Sequence, residues 1–568
     1  MAYVLGICSN VHMASAALCY DGDIVAAIAE ERLTREKNSR KFPKNSIEYC
    51  LKEAGIKMND ISCVYIANDP GVPLNMYDYR YVDVLRWYPE IIYQIPMELA
   101  PFYKSEYIGP LEQKLNYDNC HLKVNYISHH LSHMANAFYL SPFKDAAILT
   151  VDGCGEDGTA IFGLGTNKEM MKIRTQIYPH SLGLFYGTIT EFLGYRHDRD
   201  EWKVMGMSAY GHKNNEFYYK LRKLIEIKDD GTFELNLKYF NFYLEYSSSM
   251  YSDALVELIG CPPVANNKLE AVHFEIAAAI QQIIEEILTH MLEVLYKETK
   301  CSNVVLGGGV FMNSLFNGKL LKTTPFEDMF ISSCPDDSGL AIGAALYGYY
   351  NNYNGVRLGK QIQNYYGPSF SMDDIERELR KAKLQIRKVE DIERYIAEKL
   401  ADGKVVGWFQ GRMELGQRAL GNRSILADPR KEHMKDHVNS SIKFREKYRP
   451  FASSVIAEDF SLYFDEDYAE YTKFMSLALK VKDDKKKDIP AVIHEDGTTR
   501  VQAVKKEENF KLYKLLTEFK KITQIGVLLN TSFNIQNEPI VCNPQDAIRT
   551  FYSSGLDILV IENYVIEK

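Results

Sequence analysis

VNYISHHLSHMANAFYLSPFKDAAILTVDGCGEDG, residues 124–158, holds a strand-like VNYI, a histidine-rich segment, the apolar run AAILTVD and a glycine turn. His129 and His133 are four apart. On a helix that spacing puts both imidazoles on one face, about one turn apart, which is a metal-ligand spacing. A polar helix face has the same spacing, so the pair needs partners before it defines a site. Asp152 is a carboxylate at a strand end beside glycines. Backbone N–H groups of the loop GCGEDGT can face a phosphate, and the same loop can equally be a tight hairpin turn.

Working back toward the N-terminus, YVLGIC and ASAALCYDGDIVAAIAEE read as hairpin strands, with Asp21-Gly22 as a two-residue turn. His12 falls in the loop after the first strand, where bonding to backbone is the ordinary role of a loop histidine. RLTREKNSRKFPKNS is dense in Lys and Arg. It reads as a solvated loop or as a lip over an anionic ligand. NSIEYCLKEAGI is a short amphipathic helix with Gly55 near its end, and CVYIAN (63–68) a buried strand. The aromatic stretch 74–110 reads as an insertion, either a lid over an acceptor or a packing surface.

Toward the C-terminus, Glu201 and Lys203 precede a Gly-Met-Ser-Ala-Tyr-Gly turn, and 212–262 reads as a second insertion. Residues 269–298 form a long helix, with Val272, Ile276, Ile280, Ile283, Ile287 and Met291 on the helical period. Next come a strand, Gly307-Gly308-Gly309 and VFMNSLFNGKLL as a helix. That order suits a phosphate cradle, although it matches neither common nucleotide fingerprint. Asp336 and Asp337 open a small-residue helix, where one can cap and the other do chemistry. Residues 350–370 are rich in Gly, Asn and Tyr and mark a domain boundary. Beyond it, GRMELGQRALGNRSILADPR packs four arginines into twenty residues. VNSSIKFREKYRPFASSV holds Lys443, Arg445, Lys447 and Arg449. An apolar strand then runs into Asn530, Thr531, Ser532 and Asn534. These cations sit among turn residues beside strands rather than on a helix face, which favours an anion pocket over solvated charge.

The 568 residues suggest two or more domains, and 46% hydrophobic with 25% charged residues is a globular composition. No window is apolar enough to span a membrane, and MAYVLGICSN lacks a basic leader. Ten scattered cysteines without a CxxC pair read as reduced thiols of a cytoplasmic protein. A net charge of −9 argues against a nucleic-acid-coating surface.

HHLSHMANAF, VDGCGEDG, EWKVMGMSAYG, LGGGVFMNS and PDDSGLAIGAA together resemble the N-terminal part of the O-carbamoyltransferases of the NodU/CmcH/TobZ type. GRMELGQRALGNRSILADPR, KFREKYRPFASSV and NTSFN resemble their C-terminal part. The resemblance implies an α/β protein. A Kae-like domain of the actin/Hsp70/sugar-kinase ATPase fold, residues 1–355, would transfer the carbamoyl group. A YrdC-like α/β domain, residues 370–568, would form carbamoyl-adenylate from ATP and carbamoyl phosphate. His129, His133, Asp152 and Asp337 fall on the family's metal ligands, a set that favours a divalent ion such as iron(II). His130 is then an extra histidine that packs or supports. His12 matches a family histidine and is the candidate for orienting or deprotonating the acceptor. Lys443 and Arg445 fit the K-x-R element of YrdC-like proteins, Ser532 and Asn534 their S-x-N. Arg418 and Arg449 complete the set expected at the reacting anions. Gly155, Glu201, Lys203, Gly307, Gly308, Gly309, Asn313, Arg423 and Asn530 are the further positions expected to bind the nucleotide and anions, with Mg2+ accompanying ATP. Gln417 replaces the usual proline of GPRALG, which alters loop stiffness while Arg418 keeps its place. The implied partner is a small-molecule acceptor with a hydroxyl, such as a sugar or natural product. Nucleic acid and membrane are not implied, and a homodimer is the assembly to test. Two other readings share parts of this pattern: a threonylcarbamoyl transferase acting on tRNA, and a non-catalytic nucleotide-binding protein.

Overall fold

The computed structural model describes residues 2–9, 12–69, 124–244, 247–265, 268–353, 355–357, 361, 363–446 and 448–568. The aromatic stretch 74–110 and Lys447 therefore lie outside the described residues. The chain forms two compact units. One comprises Met1–Glu30 and Asn38–Gln361, the other Glu31–Lys37 and Ile362–Lys568.

The first unit is built on two five-stranded sheets with one shared plan. In the first sheet, β1 (Tyr3–Cys8), β2 (Ser15–Tyr20) and β3 (Asp23–Ala29) form an antiparallel meander, and β4 (Ile61–Ala67) and β5 (Val124–Ile127) add parallel to β1. The second sheet repeats this with β6 (Asp145–Val151), β7 (Gly158–Thr166), β8 (Glu169–Ile177), β9 (Asn303–Gly307) and β10 (Asp328–Ile331). The spatial orders are β3-β2-β1-β4-β5 and β8-β7-β6-β9-β10. Each sheet is thus ordered third, second, first, fourth, fifth, so the second repeats the plan of the first. Asp21 and Gly22 take φ of 50° and 94°, the twist a two-residue turn needs to close β2 on β3.

Helix α1 (Glu30–Thr34) follows β3 and leads into the second unit, while α2 (Lys44–Ala54), α3 (His129–Tyr139), α4 (Ala271–Thr299) and α5 (Leu340–Asn352) cover these sheets. Helix α3 follows the fifth strand of the first sheet and α5 follows the fifth strand of the second. They pack against each other, and α5 also lies on β1 and β2. A Cβ on Gly343 would stand 1.9 Å from the Ser132 carbonyl oxygen, so only glycine allows this approach. The helix expected after Gly309 is instead three short turns, Gly309–Met312, Ser314–Asn317 and Leu320–Thr323. The cause is local: the Asn313 side chain accepts from Phe316 N at 3.2 Å and starts a new turn.

The second unit is a nine-stranded mixed sheet. Its strands are β11 (Arg387–Lys388), β12 (Val406–Phe409), β13 (Arg423–Ala427), β14 (Ala452–Ile456), β15 (Ala478–Lys480), β16 (Thr498–Val504), β17 (Val527–Ser532), β18 (Ile558–Ile561) and β19 (Tyr564–Glu567). The order is β11-β19-β18-β12-β13-β17-β14-β16-β15. Helices α6 (Ile392–Ala401) and α7 (Phe510–Thr523) pack together over Trp408, Leu426, Leu528 and Val560. Burying each such side chain contributes roughly 1.5–3 kcal/mol. Among the described residues no helix is long and apolar enough to cross a membrane.

Candidate functional sites

In the first unit, α3 aims His129 and His133 at two carboxylates. Asp152 directly follows β6 and Asp337 precedes α5. His133 Nε2 lies 2.8 Å from Asp152 Oδ2, and His129 Nε2 lies 3.3 Å from the same oxygen. Both Nε2 atoms are 3.5 Å from Asp337 Oδ1 and 3.1 Å from each other. One ligand atom from each residue falls within 4.8 Å of the rest. Two imidazole nitrogens and two carboxylate oxygens on one point fit a divalent transition-metal ion. Burial opposes charge on His133, yet its bonds to Asp152 and Asp337 carry the pKa up to about 9. Burial likewise opposes ionisation of Asp152, and the two histidines overcome it, holding the carboxyl well below its usual range. His130 turns away: its ring bonds Thr150 Oγ1 at 2.9 Å and Gly158 O at 3.1 Å, and burial lowers it to about 3.

The surrounding loops are shaped by close packing. Glu156, not singled out in the sequence, caps α3 from outside by accepting from His129 N at 2.8 Å, and it also accepts from Asp69 N. Its signal was the lone Glu in the glycine turn. Gly155 lies under the histidines, with a Cβ there 3.1 Å from that of His129, and its N–H closes the hairpin onto Gly158 O. Gly308 takes φ of 95° and would place a Cβ 2.1 Å from Val151 O. Gly307 backs onto the His133 carbonyl, and Gly309 faces Asp152 Oδ1. Asn313 is engaged with Gln281 as well as its helix cap.

His12 belongs to a second group. Its Nε2 is 3.1 Å from Asp198 Oδ2 and 2.6 Å from Arg40 Nη2. Asp198 also pairs with His197 at 3.2 Å. Burial and the nearby Asp198 raise Glu201 to about 7, and its Oε1 accepts from Asp198 N. Lys203 pairs with Asp200 and lies over the Tyr195 ring.

In the second unit a π-helical turn, Asn439–Lys443, ends at Phe444, whose φ of 48° is unusual for a bulky residue. Lys443 Nζ donates to Asn534 Oδ1 at 2.8 Å, Asn534 O at 3.0 Å and Ser532 Oγ at 3.3 Å, and also to Ser532 O. The K-x-R and S-x-N elements therefore meet. Asn530 instead donates to Ser454 Oγ at 2.9 Å within the sheet. Arg445 donates to Asn439 Oδ1 at 2.6 Å and lies over Phe451. Arg449 pairs with Glu446 at 3.3 Å.

Burial, then Arg445 and Arg449, hold the Lys443 ammonium well below its ordinary pKa. Burial, then Arg449 and Arg500, do the same to Arg445, and burial with Arg418 does so to Arg500. Arg500, on β16, was missed from sequence because its strand lies outside every quoted motif. Among the described residues its Nε has no hydrogen-bond partner. Arg423 is placed differently from its neighbours. It is fully buried and spans the carbonyls of Pro368, Gln410, Gly411 and Asn422 while stacking on Phe409.

Residues 3–346 match the family model "Carbamoyltransferase N-terminus", and residues 397–568 match "Carbamoyltransferase C-terminus". The nodulation protein NolNO of Sinorhizobium fredii is 35% identical, over 98% of this chain and 79% of its own. An uncharacterised Synechocystis protein, sll1178, is 36% identical over 100% of this chain and 97% of its own. The 3'-hydroxymethylcephem-O-carbamoyltransferase of Streptomyces clavuligerus is 28% identical over 74% of this chain and 76% of its own. Among solved structures, HypF of T. kodakarensis aligns over 61% of this chain and 47% of its own, at 12% identity and a TM-score of 0.33.

Proposed function

Given that the chain belongs to the carbamoyltransferase family and is an O-carbamoyltransferase, we propose that it uses ATP and carbamoyl phosphate, by way of carbamoyl-adenylate, to carbamoylate a hydroxyl of a small-molecule acceptor. The observation that carries this reading is the cation cluster of the second unit. Lys443, Arg445 and Arg500 each lose proton affinity through burial and through neighbouring cations. Like charges gathered in a partly desolvated pocket are stabilised by an anion, and carbamoyl phosphate and a triphosphate are anions of that kind.

In the first step, water cleaves carbamoyl phosphate to carbamate and phosphate. A carbamate oxygen then attacks the α-phosphorus of ATP and pyrophosphate leaves. Lys443, Arg418, Arg445, Arg449 and Arg500 would hold these anions in place, with Ser532 and Asn534 as polar contacts. Arg423 serves the pocket from below, as a strut. In the second step the acceptor oxygen attacks the carbamoyl carbon, the bond to AMP breaks, and AMP leaves. His12, oriented by Asp198, takes the acceptor proton. The glycines at 307–309 and Gly155 bring backbone close to the nucleotide, with Glu201, Lys203 and Asn313 shaping their surroundings, and Asn530 braces the second unit's sheet through Ser454. A divalent ion held by His129, His133, Asp152 and Asp337 would supply Lewis-acid polarisation. The small-molecule acceptor draws support from the cephem relative, whose name gives a hydroxymethyl acceptor.

The test is incubation of the whole protein with ATP and carbamoyl phosphate, following pyrophosphate and AMP. Pyrophosphate release that needs both substrates is expected. His129→Ala with His133→Ala should abolish metal binding and carbamoyl transfer yet spare pyrophosphate release. Loss of both half-reactions in that variant would contradict the division of labour, and tight tRNA binding at physiological salt would favour the tRNA reading.

A further inference from the structure

Seven residues from the N-terminal part of the chain, Glu31–Lys37, belong to the second unit. They leave the first unit directly after Glu30, whose carboxylate caps α2 through Ser46 N at 2.8 Å and Ser46 Oγ at 2.7 Å. Arg32 is buried, pairs with Glu31 at 3.0 Å, and donates from Nη2 to Gly416 O at 2.9 Å. Gly416 stands two residues before Arg418. Arg35 donates from Nη1 to Ile540 O at 2.6 Å and from Nη2 to Pro539 O at 2.7 Å, and pairs with Asp546 at 3.4 Å. The next residue, Val541, donates from N to Phe533 O at 2.9 Å, between Ser532 and Asn534. One short segment thus clasps both loops that carry the anion-binding side chains. Arg35 does so at a φ of 64°, a conformation an L side chain adopts only where its surroundings hold it.

We infer that Glu31–Lys37 is a working part of the anion pocket: Arg32 and Arg35 are positioning residues for the loops of Arg418 and of Ser532 and Asn534, and Lys37 adds an ammonium for a phosphoryl oxyanion. Arginine suits the clasp because its planar fork reaches two carbonyls at once, which a lysine does not. Lys37 is exposed, and its charge is among those that act on Lys443. The inference rests on the activation reading above. The phosphoryl group is that of carbamoyl phosphate or of ATP, and separate KM values for the two distinguish them.

The experiment uses full-length protein and the variants K37A, K37R, R35A and R35K, checked for unchanged thermal midpoints. Carbamoyl phosphate- and ATP-dependent pyrophosphate release is measured alongside calorimetric binding of inorganic pyrophosphate. K37A should raise one of the two KM values about tenfold or more, the loss expected for one charge-assisted contact, with K37R recovering most of it. R35A should raise KM similarly, and R35K should fail to rescue it. KM values and pyrophosphate affinity equal to wild type in K37A and R35A would overturn the inference. A wild type that binds pyrophosphate but releases none would refute the two-step reaction while the binding comparison still decides this one. A wild type that binds no pyrophosphate overturns both.

Discussion

Metal affinity at the His129–His133 site should climb steeply with pH, while the stability of the metal-free protein falls. In the metal-free site, burial disfavours the charged imidazole of His133, but Asp152 and Asp337 hold its pKa at about 9. An ion on Nε2 must displace that proton. Lowering the pH from 9 to 7, this one proton weakens apparent affinity about fiftyfold, or roughly 2.3 kcal/mol across the interval. His129, also raised, steepens the slope. Stability runs in the opposite sense. A group whose pKa is raised on folding contributes stability that is complete below its unfolded value and is lost as pH rises through the folded one. For His133, moving from 6.5 to about 9 is worth roughly 3 kcal/mol at most. Chelator-competition titration with cobalt(II) from pH 6.5 to 9 measures the first effect, and denaturant melts of the metal-free protein the second. Asp152→Asn, which removes the negative charge facing both histidines, should flatten both curves. An affinity independent of pH between 7 and 9, or a metal-free protein that gains stability over that range, would refute the reasoning.

Three further outcomes follow from the geometry. Lys443→Met should cut pyrophosphate release by more than about a hundredfold, since it removes the ammonium that joins the two pocket loops, yet leave metal binding at the first unit unchanged in the same titration. Arg423→Lys should lower the thermal midpoint, by an amount corresponding to about 2 kcal/mol or more, because one ammonium replaces a guanidinium that satisfies four carbonyls. Gly343→Ala should fail to give folded protein or lose several kcal/mol in denaturant melts, because its Cβ meets the Ser132 carbonyl at 1.9 Å within the rigid contact of α3 and α5.

Much of this was legible from local chemistry. The Asp21-Gly22 turn, the period of α4 and the His129–His133 spacing each declare themselves within a few residues, because turn angles and helical faces are short-range properties. Asp152 was visible as a strand-end carboxylate and Asp337 as one of two that open a helix, but only tertiary structure brings them to one point. Arg423 misleads for the same reason. In sequence it is one of four arginines in a basic run, whereas in the fold β13 turns it inward onto carbonyls. Arg500 stands alone on its strand, outside any basic run, and the Glu31–Lys37 segment lies hundreds of residues from the loops it joins, so its basic run suggested an anion without saying which residues it would meet.

The duplicated sheets have a consequence for how the first unit holds together. The ligand set is divided between the two copies: His129 and His133 come from the helix that closes the first, Asp152 and Asp337 from loops of the second. Neither copy alone owns a complete coordination sphere. An ion seated there is a rivet through the two repeats, and its occupancy reports whether they are aligned. Extracting it with a chelator should then loosen a seam that runs the length of the unit, protecting fewer amides along α3 and α5 from exchange, rather than only emptying a pocket.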